Sequence, residues 1–137
     1  MTDSTIAVLD IDGTLIDSNY QHALAWYRAL RSVGETYPVW RLHRLIGMGG
    51  DQVLTAVGGE DLEHRVGDQA REPQGKEVDA LLEEIAPLPG PRDLLVAIKE
   101  RGHRLVLASS GSSADVEASK PAPDLLQVAL KKAGHAA

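Results

Sequence analysis

The chain has 137 residues, 43% of them hydrophobic and 25% charged, with a net charge of −6. That suffices for one domain core, or a small core with an insertion, in a soluble globular protein. The acidic balance gives nucleic acid no electrostatic footprint, the absence of cysteine excludes disulfides and thiolate metal sites, and no run approaches the ~18 apolar residues of a membrane span.

The start MTDSTIAVLD lacks a basic n-region, so no signal peptide is read, and a cysteine-free chain fits a reducing, cytoplasmic setting. Residues 5–9 are short and almost wholly apolar, which predicts a strand buried on both faces, as in a parallel sheet. Asp10, Asp12, Gly13 and Thr14 follow, with Gly13 permitting a sharp turn. From Ser18, a predicted N-cap, Tyr20, Ala23, Leu24, Tyr27 and Leu30 recur at helical spacing up to a stop at Gly34. Asp17 reads as a helix-start acid. A helix over 39–46, a glycine break at 47–50 and a short helix over 51–57 come next. Val78, Leu81, Leu82 and Ile85 continue the pattern until Pro87, so 17–87 reads as a helical unit with no strand of its own. Trp26 and Trp40 read as its core, and His22, His43 and Arg44 as packing or surface residues; the five histidines show no metal-ligand spacing.

Pro91 suits a first helical position, Leu94, Leu95 and Ile98 give an apolar face, and Gly102 ends the helix. Residues 104–108 form a second apolar strand, ending in Ser109, Ser110 and Gly111. A helix feeding a buried strand is half of a crossover unit, which predicts an α/β fold. The segment 124–133 reads as a further helix, with Lys131 and Lys132 at its solvated end. Ligands of open α/β sheets bind at the carboxyl ends of the strands. Acids after the first strand, hydroxyls after the second and Lys120 nearby therefore suggest an oxyanion such as phosphate, with a divalent cation.

The stretches DIDGTLIDS, RLVLASS and SKPAPD resemble, in order, the first three motifs of the haloacid dehalogenase-like (HAD) hydrolases. The helical insert, LIGMGGDQVL and PLPGPRDLL resemble the subgroup containing phosphoglycolate phosphatase and β-phosphoglucomutase. The resemblance implies a Rossmann-like core of residues 1–16 and 88–137 with a parallel sheet, and an inserted α-helical cap of residues 17–87. It implies a Mg²⁺-dependent phosphatase acting on a small phosphorylated metabolite. Asp10 would be the nucleophile and Asp12 the general acid and base. Mg²⁺ would sit on the Asp10 carboxylate and the Asp12 backbone carbonyl. Ser109 and Lys120 would hold the phosphoryl group, helped by backbone N–H groups near Gly13, Thr14 and Ser110. Ser109, which directly follows the strand, is preferred over Ser110 as the side-chain ligand. Gly47, Gly49 and Gly50 lie where the subgroup's cap faces substrate. Asp12 favours phosphoryl transfer over dehalogenation, because a halide leaving group needs no proton.

Two departures from the family stand out. Lys120 follows Ser110 by only ten positions, where the family places a helix, a strand and a loop, and the fourth motif, which brings further acids, is absent. These imply a lost internal segment around 111–114 and further sequence after Ala137. A phosphomutase would use the same residues, and a chain lacking the fourth motif could be an inactive binding protein. A phospho-accepting receiver is disfavoured by two acids only two apart on the first strand. The oligomeric state is not legible.

Overall fold

The computed structural model describes residues 5–109 and 112–116, with the side chains of Ser109 and of 112–116 left aside. The described chain falls into two compact units, 5–17 with 86–116 and Ser18–Ile85.

In the first unit, β1 (Ile6–Asp10) and β4 (Arg104–Ser109) pair in parallel, Asp10 opposite Ala108. α4 (Pro91–Glu100) feeds β4, as a crossover requires, with Pro91 at its first position after Gly90 in the left-handed region (φ 93°). Pro91, Leu95 and Ile98 form its inward row; Leu94 is exposed, one residue off that row. Leu105 and Leu107 are fully buried and stand beside Ala7 and Leu9.

The expectation that the first strand is buried on both faces is corrected. Ile6 and Val8 are 51% and 62% exposed. Successive side chains alternate, so Ala7 and Leu9 share the covered face with Leu105 and Leu107, while Ile6, Val8 and Asp10 stand on the other. Asp10 thus leaves the sheet on its open face.

β5 (Ser112–Val116) pairs antiparallel with β4, residue for residue from Ser109↔Ser112 to Leu105↔Val116, making a mixed sheet in the order β1-β4-β5. Residues 112–114, within the region of the implied internal loss, are therefore strand residues paired with β4. Ser110, Lys120 and the predicted helix 124–133 lie outside the described residues.

β2 (Ile16–Asp17) and β3 (Ala86–Pro87) form a two-residue antiparallel ladder. The helical insert therefore does carry strand residues at its two ends. Asp17 is a strand residue, not a helix-start acid, because its backbone is committed to Ala86.

In the second unit, α1 (Asn19–Ser32) begins after Ser18, whose carbonyl accepts the His22 N–H (3.0 Å) but whose side chain makes no cap bond. Its end is a Schellman motif: Glu35 N–H bonds Leu30 C=O (2.9 Å), Gly34 N–H bonds Arg31 C=O (3.1 Å), and Gly34 supplies the positive φ of 86°. α2 (Val39–His43) is shorter than the expected 39–46. α3 runs Gly50–Leu81, far beyond 57, broken where Gly59 takes φ 82°, ψ 175°. There the Val57 carbonyl is met by the Arg41 guanidinium (3.0 Å).

Ala23, Trp26 and Leu30 of α1, Leu42 of α2, and Val53, Leu54, Val57, Leu62, Val66 and Ala70 of α3 make one core. Trp26 belongs to it; Trp40 does not, being 58% exposed. A five-residue helix has room for one inward position, and Leu42 takes it, which turns Trp40 outward. Arg65 bridges Glu35 (2.5 Å) and Asp61 (2.7 Å), and those two hydrogen bonds with the carboxylate charges hold its guanidinium protonated even more firmly than usual.

Candidate functional site

The chemistry-bearing residues gather at the carboxyl end of the β1–β4 pair. Asp10 closes β1 opposite Ala108, and Ser109 is the next residue of β4. Parallel pairing thus brings to one sheet edge two clusters 98 positions apart in sequence. Serine 109 is placed here by its backbone alone, and Ser110 and Lys120 fall outside the described residues.

Strand alternation by itself would send Asp10 and Asp12 to the same face. The turn begins early enough to break that rule. Ile11 is fully buried, and its carbonyl accepts from the N–H groups of Thr14 (3.2 Å), Leu15 (2.9 Å) and Ile16 (3.2 Å). Gly13, at φ 76°, donates its N–H to Ile16 C=O (2.9 Å), and Asp12 forms an isolated bridge with Ile16. Leu88 N–H ties the turn to β3 through Leu15 C=O (3.0 Å). Buried Ile11, Leu15 and Ile16 anchor the loop, so exposed Asp10 and half-buried Asp12 are held by a rigid base.

The N–H groups of Gly13 and Thr14 are spent inside this turn. What Thr14 offers outward is its hydroxyl, which lies 3.5 Å from Asp10 Oδ2, at the limit of a hydrogen bond. For the implied Mg²⁺, the donor set is an exposed carboxylate at a strand end with a second acid two residues on. This suits a hard cation that takes one or two carboxylates and fills its remaining positions with water and phosphate oxygens. Among the described residues no cluster of three or more acids or histidines adds to it.

In the second unit, Gly47 has a φ of 112° and open space around it, and is the member of the glycine run whose backbone demands glycine. A Cβ on Gly49 would fall 2.5 Å from the Asp51 carboxylate, and one on Gly50 would make an ordinary contact with Trp26 at 3.6 Å. Sequence reasoning placed Trp40 in the core and read His43 and Arg44 as packing or surface residues, without linking them to one another or to Tyr20. Tyr20 stacks on His43, ring centroids 4.4 Å apart and planes 8° from parallel, and the Arg44 guanidinium lies 5.0 Å over the Trp40 ring. The signal that could have found them is the spacing of Trp40, His43 and Arg44 at i, i+3 and i+4, which shares one helix face.

A family model described as haloacid dehalogenase-like hydrolase matches residues 5–136. The chain belongs to that family. Among solved structures, a hydrolase from Pseudomonas syringae is 29% identical, with a TM-score of 0.75 over 94% of this chain and 56% of that one. CbbY from Rhodobacter sphaeroides, solved with phosphate, is 23% identical, with a TM-score of 0.62 over 95% of this chain and 72% of that one. A β-phosphoglucomutase from Clostridium difficile is 22% identical, with a TM-score of 0.65 over 79% and 52%. At those lower identities the likeness is one of fold, a HAD core with a helical insert. No curated protein matches. The chain spans about half the length of the first of these structures, 56%. Among the described residues no helix is long and apolar enough to cross a membrane.

Proposed function

We propose that this HAD-family chain carries the nucleophile half of a phosphatase site for a small phosphorylated metabolite. The observation that supports it most is Asp10 at the end of β1, on the open face of the sheet, beside β4 and ahead of the rigid Ile11–Ile16 turn. A carboxylate there is accessible to an in-line ester, and its neighbours hold it still.

In this reading an Asp10 oxygen attacks phosphorus as the ester P–O bond breaks, and Asp12 gives its proton to the departing alkoxide. Asp12 then takes a proton from water. That water attacks the aspartyl-phosphate at phosphorus, frees inorganic phosphate and restores the Asp10 carboxylate. Thr14 orients Asp10 through its hydroxyl, and Ser109 and Lys120 are the proposed partners of the phosphoryl oxygens. Mg²⁺, held by the Asp10 carboxylate and the Asp12 carbonyl, would neutralise charge on the phosphoryl oxygens. The helical unit Ser18–Ile85 is assigned the role of a cap that helps choose the substrate, with Gly47, Gly49 and Gly50 in its selecting loop.

The test is phosphate release from a panel of sugar phosphates, phosphoglycolate and nucleotides with Mg²⁺ present. Asp10→Asn should abolish turnover, and Asp12→Asn should lower it by about 10²–10⁴-fold, the usual worth of a general acid. Turnover that survives Asp10→Asn would overturn the nucleophile assignment. Product analysis with a hexose 1-phosphate separates hydrolysis from mutase chemistry.

A further inference from the structure

The second unit carries six arginines. Arg28 pairs with Glu77, Arg65 with Glu35 and Asp61, and Arg71 with Glu63 and Asp68. Arg31 donates to the Tyr27 hydroxyl and Arg41 to the Val57 carbonyl. Arg44 differs: among the described residues its recorded contact is the face of Trp40. Trp40 is 58% exposed and Tyr20 65%. His43 links them, stacked on Tyr20 and sharing one face of α2 with Trp40. The helix VWRLH holds no acid, in a chain whose net charge is −6. Tyr20, His43, Trp40 and Arg44 thus form an exposed strip of π-faces carrying a guanidinium that, among the described residues, has no carboxylate partner.

Such a surface is complementary to one ligand chemistry. A flat ring stacks on indole or phenol, and the acceptor atoms at its edge, or an anion joined to it, take the guanidinium donors. An aliphatic anion would use Arg44 and leave the rings idle. We propose that this strip binds the planar, acceptor-rich ring of a ring-bearing phosphate ester such as a nucleoside monophosphate, a binding property of the helical unit that stands apart from the phosphatase reading above.

The test uses the full chain in EDTA, where no turnover occurs, with adenosine monophosphate and ribose 5-phosphate as probes. Trp26 is buried, so quenching of the exposed Trp40 reports the strip. Adenosine monophosphate should quench with saturation and ribose 5-phosphate should not. By calorimetry, Trp40→Leu and Arg44→Gln should each weaken the nucleotide about tenfold, within the range for loss of one base–aromatic stack or one charged hydrogen bond. Both side chains are exposed, and circular dichroism checks that the variants remain folded. Equal affinity for the two probes, no binding of the nucleotide, or an unchanged Kd in both variants overturns the proposal. If the nucleotide binds as expected and no ester is ever hydrolysed with Mg²⁺, the phosphatase reading fails and the strip stands. If ribose 5-phosphate is hydrolysed and binds as well as the nucleotide, the reverse holds.

Discussion

Asp10 and Gly47 are both fixed by backbone geometry, in opposite senses. Asp10 is exposed at the point where the chain stops being a strand, and the buried Ile11 supports that break. Gly47 needs a positive φ of 112°, whereas Gly50 opens α3 with ordinary torsions and space for a methyl group beside Trp26. Replacing each by alanine should therefore give opposite results. Gly47→Ala should cost about 1 kcal/mol or more in the left-handed region, and Gly50→Ala should be neutral or stabilise by about 0.4–1 kcal/mol. Urea melts of the two variants check the sign. A glycine run looks uniform in sequence; only the torsions tell which member is obligatory.

The helices show how local signals and packing divide the work. The stop of α1 at Gly34 and the start of α4 at Pro91 are legible because their chemistry is local: a positive φ and a missing N–H. The length of α3 is not, because the expected helix ends at 57, before Gly58 and Gly59, yet the chain continues across a kink. Packing overrides propensity there: Val57 and Leu62 on either side of the kink enter the same core, and Arg41 satisfies the Val57 carbonyl. Arg41→Met should remove that bond and cost about 1–2 kcal/mol, less than Leu54→Ala, which empties a fully buried position at about 2–5 kcal/mol. Chemical denaturation of both variants checks the order, and a larger loss from Arg41→Met would mean that the kink, not the core, holds the unit. A Cβ on Gly58 would press within 2.6 Å of the Tyr37 hydroxyl, so the kink is also sterically reserved.

Across the whole molecule, the two units differ in how far apart in sequence their contacts lie. Ser18–Ile85 is one continuous stretch, while the β1–β4 ladder joins residues 98 positions apart. Contacts of long separation form slowly, because loop closure must be met before they are rewarded. In pulse-labelled hydrogen exchange, amides around Leu30 and Leu54 should gain protection before those of Leu105 and Leu107; the reverse order would refute this. All five tyrosines and tryptophans lie between Tyr20 and Trp40, so fluorescence follows only the helical unit. The sequence alone determined what depends on neighbours along the chain: the acidic turn after the first strand, the motif order that marks the family, the helix caps and the α/β class. Tertiary structure decided what depends on distant partners. It set β1 beside β4 and opened the face that carries Asp10. It folded Ser112–Val116 back as an antiparallel arm, and it turned Trp40 outward to meet Arg44. The physical reason is that burial and strand pairing are properties of whichever segment arrives alongside, and no short stretch of sequence encodes its own neighbour.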